Sequence, residues 1–364
     1  MRVFPGTLWR YFFRRYLKMF IGYFLAVMLV IWLVDFNETA GRLSGSPNYH
    51  VGIAFYIAAL RVPLVAQAAV PFIALLASIA TLMQLNRKYE LVVVRAAGVS
   101  AWQFLAPLLV ANLLLGLVAI VVLNPLATRA TGIVEETLLE NELRSATPRE
   151  NSGPPWFKQH TDEGDTIIGA RIRAGSGTQL GDATFIRFDP EGKPIDRLEA
   201  ERATLTDGAW VLRNVNRYRA GEPRETLDRF EVATTLEPEF LGESLVPAES
   251  ISVFDLPGKI AAARSYGVSA NSYAMSFHRL LALPALFASM TVIAAMVSLR
   301  FVRFGQSMAV ILGGILAGFM LYVVSEVIQA FGEAGTLPPV VAAWLPVVVA
   351  ASLGTTVLLH KEDG

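Results

Sequence analysis

Six apolar runs, three on each side of a long polar interval, constrain this chain more than any other feature. A hydrocarbon layer of roughly 30 Å takes about 20 apolar residues in a helix, which satisfies its own backbone within one segment. The first run lies between Lys18 and Asp35, "MFIGYFLAVMLVIWLV", and is short unless Lys18 snorkels and Tyr16 and Leu17 join it. The second follows Arg61 and ends near Leu85, and the third occupies about Phe104 to Leu123. Beyond the polar interval come Leu280 to Leu299, about Ser307 to Ala330, and about Pro338 to Leu359. With 54 % hydrophobic and 17 % charged residues, the chain is too apolar for a soluble protein, in which roughly a quarter are charged. The first run is not a cleavable signal, because its apolar part is too long and no small-residue cleavage site follows.

Basic residues orient the runs, since short loops rich in Lys and Arg stay in the cytoplasm. Arg2, Arg10, Arg14, Arg15 and Lys18 precede the first; Arg87, Lys88 and Arg95 follow the second; Arg300 and Arg303 follow the fourth; Lys361 lies near the end. The opposite loops carry Arg42 and Arg61 in one case and no basic residue in "FGEAGTLPPVV" in the other. Both termini are therefore expected in the cytoplasm, and the polar interval outside. The formal charge of zero hides an asymmetry: of 31 acidic and 31 basic residues, residues 147–265 hold 20 and 15, so the remainder is net basic.

The polar interval reads as β structure. "DTIIGARIRA", "DATFIRF", "PIDRLEAERATL", "AWVLRNVNRYRA" and "TLDRFEVATTL" alternate apolar with polar residues, with turn chemistry in "DPEGKP" and "TDGA". Strands at that spacing fit a small sandwich, a jelly roll or an open barrel. Before them, "TGIVEETLLENELRS" has helical spacing, and "GPPWF" leads into the sheet. The expected fold is thus an α-helical polytopic membrane protein of six transmembrane helices with an inserted extracytoplasmic all-β domain. Residues 1–125 form one membrane half, 126–265 a helical connector and the β domain, and 266–364 the other half.

No catalytic constellation emerges. His50, His160, His278 and His360 are far apart and lack metal-ligand spacing, and "PEGKP" lacks the upstream glycine and the Ser/Thr of a phosphate loop. The absence of cysteine excludes disulfides, thiolate metal sites and cysteine nucleophiles. No metal, cofactor or nucleic-acid partner is expected. Asp35 and Glu326 are the charges nearest to lying inside the membrane, both in last turns on the external side, and Gly314 and Gly318 have the small-xxx-small spacing of close helix packing.

One charged island interrupts the first half: "LNRKYELVVVRAAGVSAW", with Arg87, Lys88, Glu90 and Arg95. Anchoring needs only its basic residues, which leaves Glu90 and the apolar "LVVV" over. A short helix along the membrane surface, stopped at Gly98 and restarted at Ser100, would present an acid beside apolar residues to a soluble partner. Glu90, Leu91, Val94 and Arg95 are the candidate coupling residues.

"RKYELVVVRAAGVSAWQFLAP", "SFHRLLALPALFASMTVIAAMVSLRF" and "GGILAGFMLYVVSEVIQAFGEAGTLPP", in a three-plus-three arrangement around an exported β domain, resemble the LptF/LptG permeases of the lipopolysaccharide export system. Between the two paralogues, "ELVVVRAAGVS" and "GTLPP" look more like LptG. The resemblance implies a subunit of an ABC transporter that is itself no enzyme, in which residues 87–100 form the coupling helix. Its partners would be a paralogous LptF-type permease, an LptB-type cytoplasmic ATPase dimer, an LptC-type single-span protein and an LptA-type bridge. It implies a jelly-roll-like β domain that receives lipopolysaccharide extracted from the inner membrane. Acyl chains would lie against Phe20, Phe24, Met28, Ile31 and Trp32 of the first span. Family members often carry lysines just after that span; here the stretch is "DFNETAGR", which leaves Arg42, Arg61 and Arg129 as candidates for the lipid phosphates. The competing expectation is a non-transporting ABC-type membrane protein that transmits motion to an external partner, but such proteins usually carry their large domain after the first span.

Overall fold

The structure, a computed structural model, describes residues 6–46, 48–140, 156–161, 164–174, 179–206, 208–219, 221–234, 248–265, 269–298 and 308–363. Of the residues read from sequence, Arg2, residues 141–145 of the helical connector, residues 153–155 before the sheet, Asp207 and Ala220 within it, residues 235 and 236 of the last strand, and Leu299, Arg300, Arg303 and Ser307 lie outside these. The chain falls into two compact units, Met1–Ala146 with Met275–Gly364, and Thr147–Ala274.

The first unit is a helix bundle. Helix α1 is Gly6–Leu43, α2 Val51–Arg87, α3 Glu90–Ala96 and α4 Ala101–Val118, which runs through a π-helical turn, Ala119–Leu123, into α5, Asn124–Glu140. At 1.5 Å per residue, the 38 residues of α1 span about 57 Å, nearly twice a hydrocarbon layer, so both ends project beyond the short apolar run that marks the span. The residues read as a connector after the third span continue its helix, and Val134 of α5 packs with Leu43, Ile53 and Ile57. At the start of α2, His50 is the N-cap, its Nδ1 accepting a hydrogen bond from the Ile53 N–H at 3.2 Å.

Downstream are α6, Leu256–Ser265, then α7, Asn271–Ser298, α8, Met308–Glu333, and α9, Pro339–Asp363. Among the described residues six helices are long and apolar enough to cross a membrane, three before the β segment and three after it. Close approach between them is built on glycine: a Cβ on Gly116 of α4 would overlap the backbone of Pro284 in α7, and one on Gly318 of α8 would collide with the Leu75 side chain of α2. Gly314 faces Val297 of α7 in the same way. The small-xxx-small pair thus packs within the chain.

The second unit holds α6 and an antiparallel meander in which every strand pairs with its sequence neighbour: β1 Trp156–Thr161, β2 Gly164–Ala174, β3 Gln179–Phe188, β4 Pro194–Thr206, β5 Ala209–Tyr218 and β6 Glu225–Ala233. Strand β1 contains the end of the stretch read as a lead-in. Asp189 closes the β3–β4 turn by accepting the Lys193 N–H on its side chain at 2.7 Å, with Gly192 at φ +84°. Asp182, Glu201, Asn214 and Asp228 drop out of the pairing in one line across four strands. Asp182 and Asn214 sit at φ +47° and +52°, and Asn214 donates to Glu201 at 2.7 Å. Along this crease the inward side chains fall three residues apart instead of two: Leu180 then Ala183, Ala200 then Ala203, Leu212 then Val215, all buried. Phe185 and Trp210 meet edge to face inside.

The twist of strands in a sheet accumulates from β1 to β6 and brings the two edge strands toward each other. A buried clasp records this: Gln159 of β1 donates to the Ala233 carbonyl at 3.0 Å and accepts from the Thr234 hydroxyl at 2.7 Å.

Candidate functional site

The charged island forms a separate short helix. Tyr89 before it is left-handed, at φ 58°, and Gly98 after it is at φ 82°, a conformation that suits glycine. Ser100 then starts α4 with a capping box: its hydroxyl accepts the Gln103 N–H, and the Gln103 side chain accepts the Ser100 N–H. Within α3, Leu91 and Val94 lie three residues apart on one face and are buried within the chain. Glu90 is held by α1: its Oε1 lies 2.9 Å from Arg15 Nη1 and its Oε2 accepts the Tyr11 hydroxyl at 2.8 Å. The Arg95 guanidinium sits 5.6 Å from the Phe104 ring centroid. The structure therefore turns Leu91 and Val94 inward, not toward the groove of a partner as the sequence reading has it. Tyr89, Val92 and Val93 face out instead, with Arg87 and Lys88 beside them. The sequence marks "LVVV" as an apolar group and could not say which of its members the chain itself covers.

The same correction applies to the first span. Phe20 and Met28, expected to touch lipid, are buried against the chain, and Phe24, Ile31 and Trp32 are half-buried on the same stripe. Phe24 stacks on Phe20, and Trp32 meets Phe55 of α2 edge-on at 4.8 Å. The open apolar face of α1 is carried by Ile21, Leu25, Leu29 and Leu33, each 47–61 % exposed. A helix that is apolar all round has no polar side to mark the outside, so neighbours alone choose its inner face. Helix α8 has a similar open face at Leu316, Phe319, Met320 and Val327.

The three arginines differ in their surroundings. Arg42 is exposed and pairs with Glu38 one turn earlier. Arg61 is half-buried, 3.8 Å from Asp35 of α1, and donates to Thr39 at 3.4 Å, so its charge is already opposed. Arg129 is exposed on α5 and has no ion-pair partner among the described residues.

Two polar clusters escaped the sequence reading. Within the bundle, the Tyr16 hydroxyl donates to Asn112 Oδ1 at 2.7 Å, and Asn112 Nδ2 donates to Thr291 at 2.6 Å. Thr291 lies 3.4 Å from the Ser78 hydroxyl, so α1, α2, α4 and α7 meet at one buried network. Asn112, the one amide within "PLLVANLLLGLVAIVVL", was the available signal. In the β unit, Asp196 accepts Arg187 Nε and Nη2 at 2.8 and 2.7 Å and Arg217 Nε at 2.7 Å. Both guanidiniums also lie against the Phe230 ring, at 5.2 and 5.1 Å. Burial pushes the Asp196 carboxyl up, but the hydrogen bonds and charges of Arg187 and Arg217 outweigh it and hold the group below the ordinary carboxylate range.

A bundle of membrane-crossing helices with open apolar faces, interrupted after its third span by an antiparallel β unit, defines the class: a polytopic membrane protein with an inserted β domain. The model of the family described as lipopolysaccharide export system permease LptF/LptG matches residues 10–360, nearly the whole chain, and the chain belongs to that family. It is also similar to the lipopolysaccharide export system permease protein LptG of Haemophilus influenzae, with 24 % identity over 98 % of this chain and 99 % of that protein. The chain is thus a multi-pass inner-membrane permease of lipopolysaccharide export.

Proposed function

We propose that this chain extracts lipopolysaccharide from the inner membrane as one of two paralogous permease subunits, the other LptF-like, driven by a cytoplasmic ATPase dimer of LptB type. The single observation that carries the reading is α3: a short helix flanked by two residues at positive φ, anchored inward by Leu91 and Val94, with the apolar Tyr89, Val92 and Val93 uncovered beside Arg87 and Lys88. Seven residues do not hold a helix alone in water, and an uncovered apolar face at the end of a membrane bundle suits a soluble partner. Both termini and α3 are then cytoplasmic, as the basic loops require. The β domain is periplasmic and hands lipid to bridge components of LptC and LptA type. Acyl chains lie against the open faces of α1 and α8, not the inner stripe of α1. Arg129, with no ion-pair partner among the described residues, is the cation best suited to lipid phosphates, while Arg42 is paired with Glu38 and Arg61 with Asp35.

The test is site-specific photocrosslinking in intact cells. A crosslinker at Leu29, on the open face, captures lipopolysaccharide, and one at the adjacent Met28, on the buried stripe, captures little. Capture of ordinary phospholipid alone at Leu29 would overturn the reading.

A further inference from the structure

Glu90 lies at the base of the proposed docking element but is bound inside the chain. Each of its carboxylate oxygens has its own donor on α1: Arg15 Nη1 at 2.9 Å on Oε1, and the Tyr11 hydroxyl at 2.8 Å on Oε2. Arg15 also reaches Oε2 at 3.3 Å and donates to the Tyr11 hydroxyl, its guanidinium 5.5 Å from the Tyr11 ring centroid. These contacts join residues more than 70 positions apart in sequence. Arg15 and Glu90 are 15 % and 27 % exposed, dry enough for a charged hydrogen bond to hold its geometry.

We infer that Arg15 and Tyr11 are positioning residues that clamp Glu90, so that α3 and span one move as a single body and a displacement of α3 enters the membrane through α1. The inference rests on the proposed coupling role of α3. Tyr89 and Gly98, both at positive φ, set α3 off from α2 and α4, and Leu91 and Val94 hold it by apolar contacts that carry no direction. The carboxylate bonds are directional and fix its position along α1. Tyr11 and Arg15 sit one turn apart on a helix that continues without a break to Leu43, so a shift at Arg15 is carried along the helix to the open face at Leu25 and Leu29. Chain continuity through Ser100 moves α4 with α3 in any case; the clamp adds the span on which lipid is proposed to lie.

The chain has no cysteine, so Val93→Cys, on the outward face, takes a single spin label. In the full-length protein in nanodiscs, Arg15→Ala is expected to mobilise that label, Tyr11→Phe to do so less, and Arg15→Lys to restore most of the order. In the complete complex reconstituted with its ATPase and partner subunit, without the label, Arg15→Ala is expected to leave ATPase co-purification within about twofold of wild type. It lowers lipopolysaccharide moved per ATP hydrolysed by at least about fivefold, the scale of a modest coupling between two sites. An unchanged label, unchanged lipid per ATP, or loss of the ATPase together with transport would each overturn the clamp. A wild-type chain that binds no ATPase would instead overturn the proposed function, and the label would still decide whether Arg15 holds α3.

Discussion

Asp196→Asn isolates the buried charge cluster of the β domain. Asp196 has no exposed side-chain surface, while Arg187 and Arg217 are 17 % and 13 % exposed and donate three short hydrogen bonds to it. The amide keeps the shape but removes the counter-charge, and stranding partly buried charges in this way costs about 3–5 kcal/mol. Domains of this size are stable by about 5–15 kcal/mol, and each kcal/mol moves the midpoint by about 4–8 °C, so a loss of at least about 12 °C is expected. The assay is thermal proteolysis of the full-length protein, following cleavage within residues 156–234. The folded-state pKa of Asp196 is depressed, so its stabilisation is complete above the unfolded carboxylate value of about 4 and fades as pH falls through the lower folded value. The gap between wild type and Asp196→Asn must therefore narrow below about pH 4. A triple change of Asp196→Leu, Arg187→Met and Arg217→Met should cost less than Asp196→Asn alone, because it leaves no buried charge without a partner, and Glu225, which loses Arg217 at 4.0 Å, is exposed to water. A gap independent of pH, or a triple variant worse than the single, would refute the electrostatic reasoning.

In the bundle, a double-mutant cycle of Tyr16→Phe and Asn112→Ala should give a coupling of about 0.6–1.7 kcal/mol in unfolding from mixed micelles, the range for hydrogen bonds between membrane helices; additive effects would mean that the 2.7 Å bond contributes nothing. Gly116→Ala should cost about 1–3 kcal/mol in the same assay, because its new methyl meets the backbone of Pro284. Gly318→Ala should cost less, since the Leu75 side chain can rotate away; the reverse order would show that the crossing of α4 and α7 is looser than its geometry implies.

Legible in the sequence were the number of spans, the place where the β domain is inserted, and the break between α3 and α4 at Gly98 and Ser100, though the helix expected over 87–100 is shorter, Glu90–Ala96. Those depend on local properties: runs of about 20 apolar residues, alternation along strands, a glycine able to adopt positive φ, and a serine placed to start a helix. The sequence could not determine facing. Leu91 and Val94, Phe20 and Met28 have the composition expected of contact surfaces, and tertiary packing turns all four inward. Apolar residues carry no address when both lipid and protein are apolar, so the inner face of α1 is set by the helices that pack against it. The remaining features are juxtapositions of distant residues: Glu90 with Arg15, Asn112 with Tyr16 and Thr291, Asp196 with two arginines, Gln159 with Thr234. No local pattern links the members of each set, and only the folded chain, by removing water from around them, makes each depend on the other.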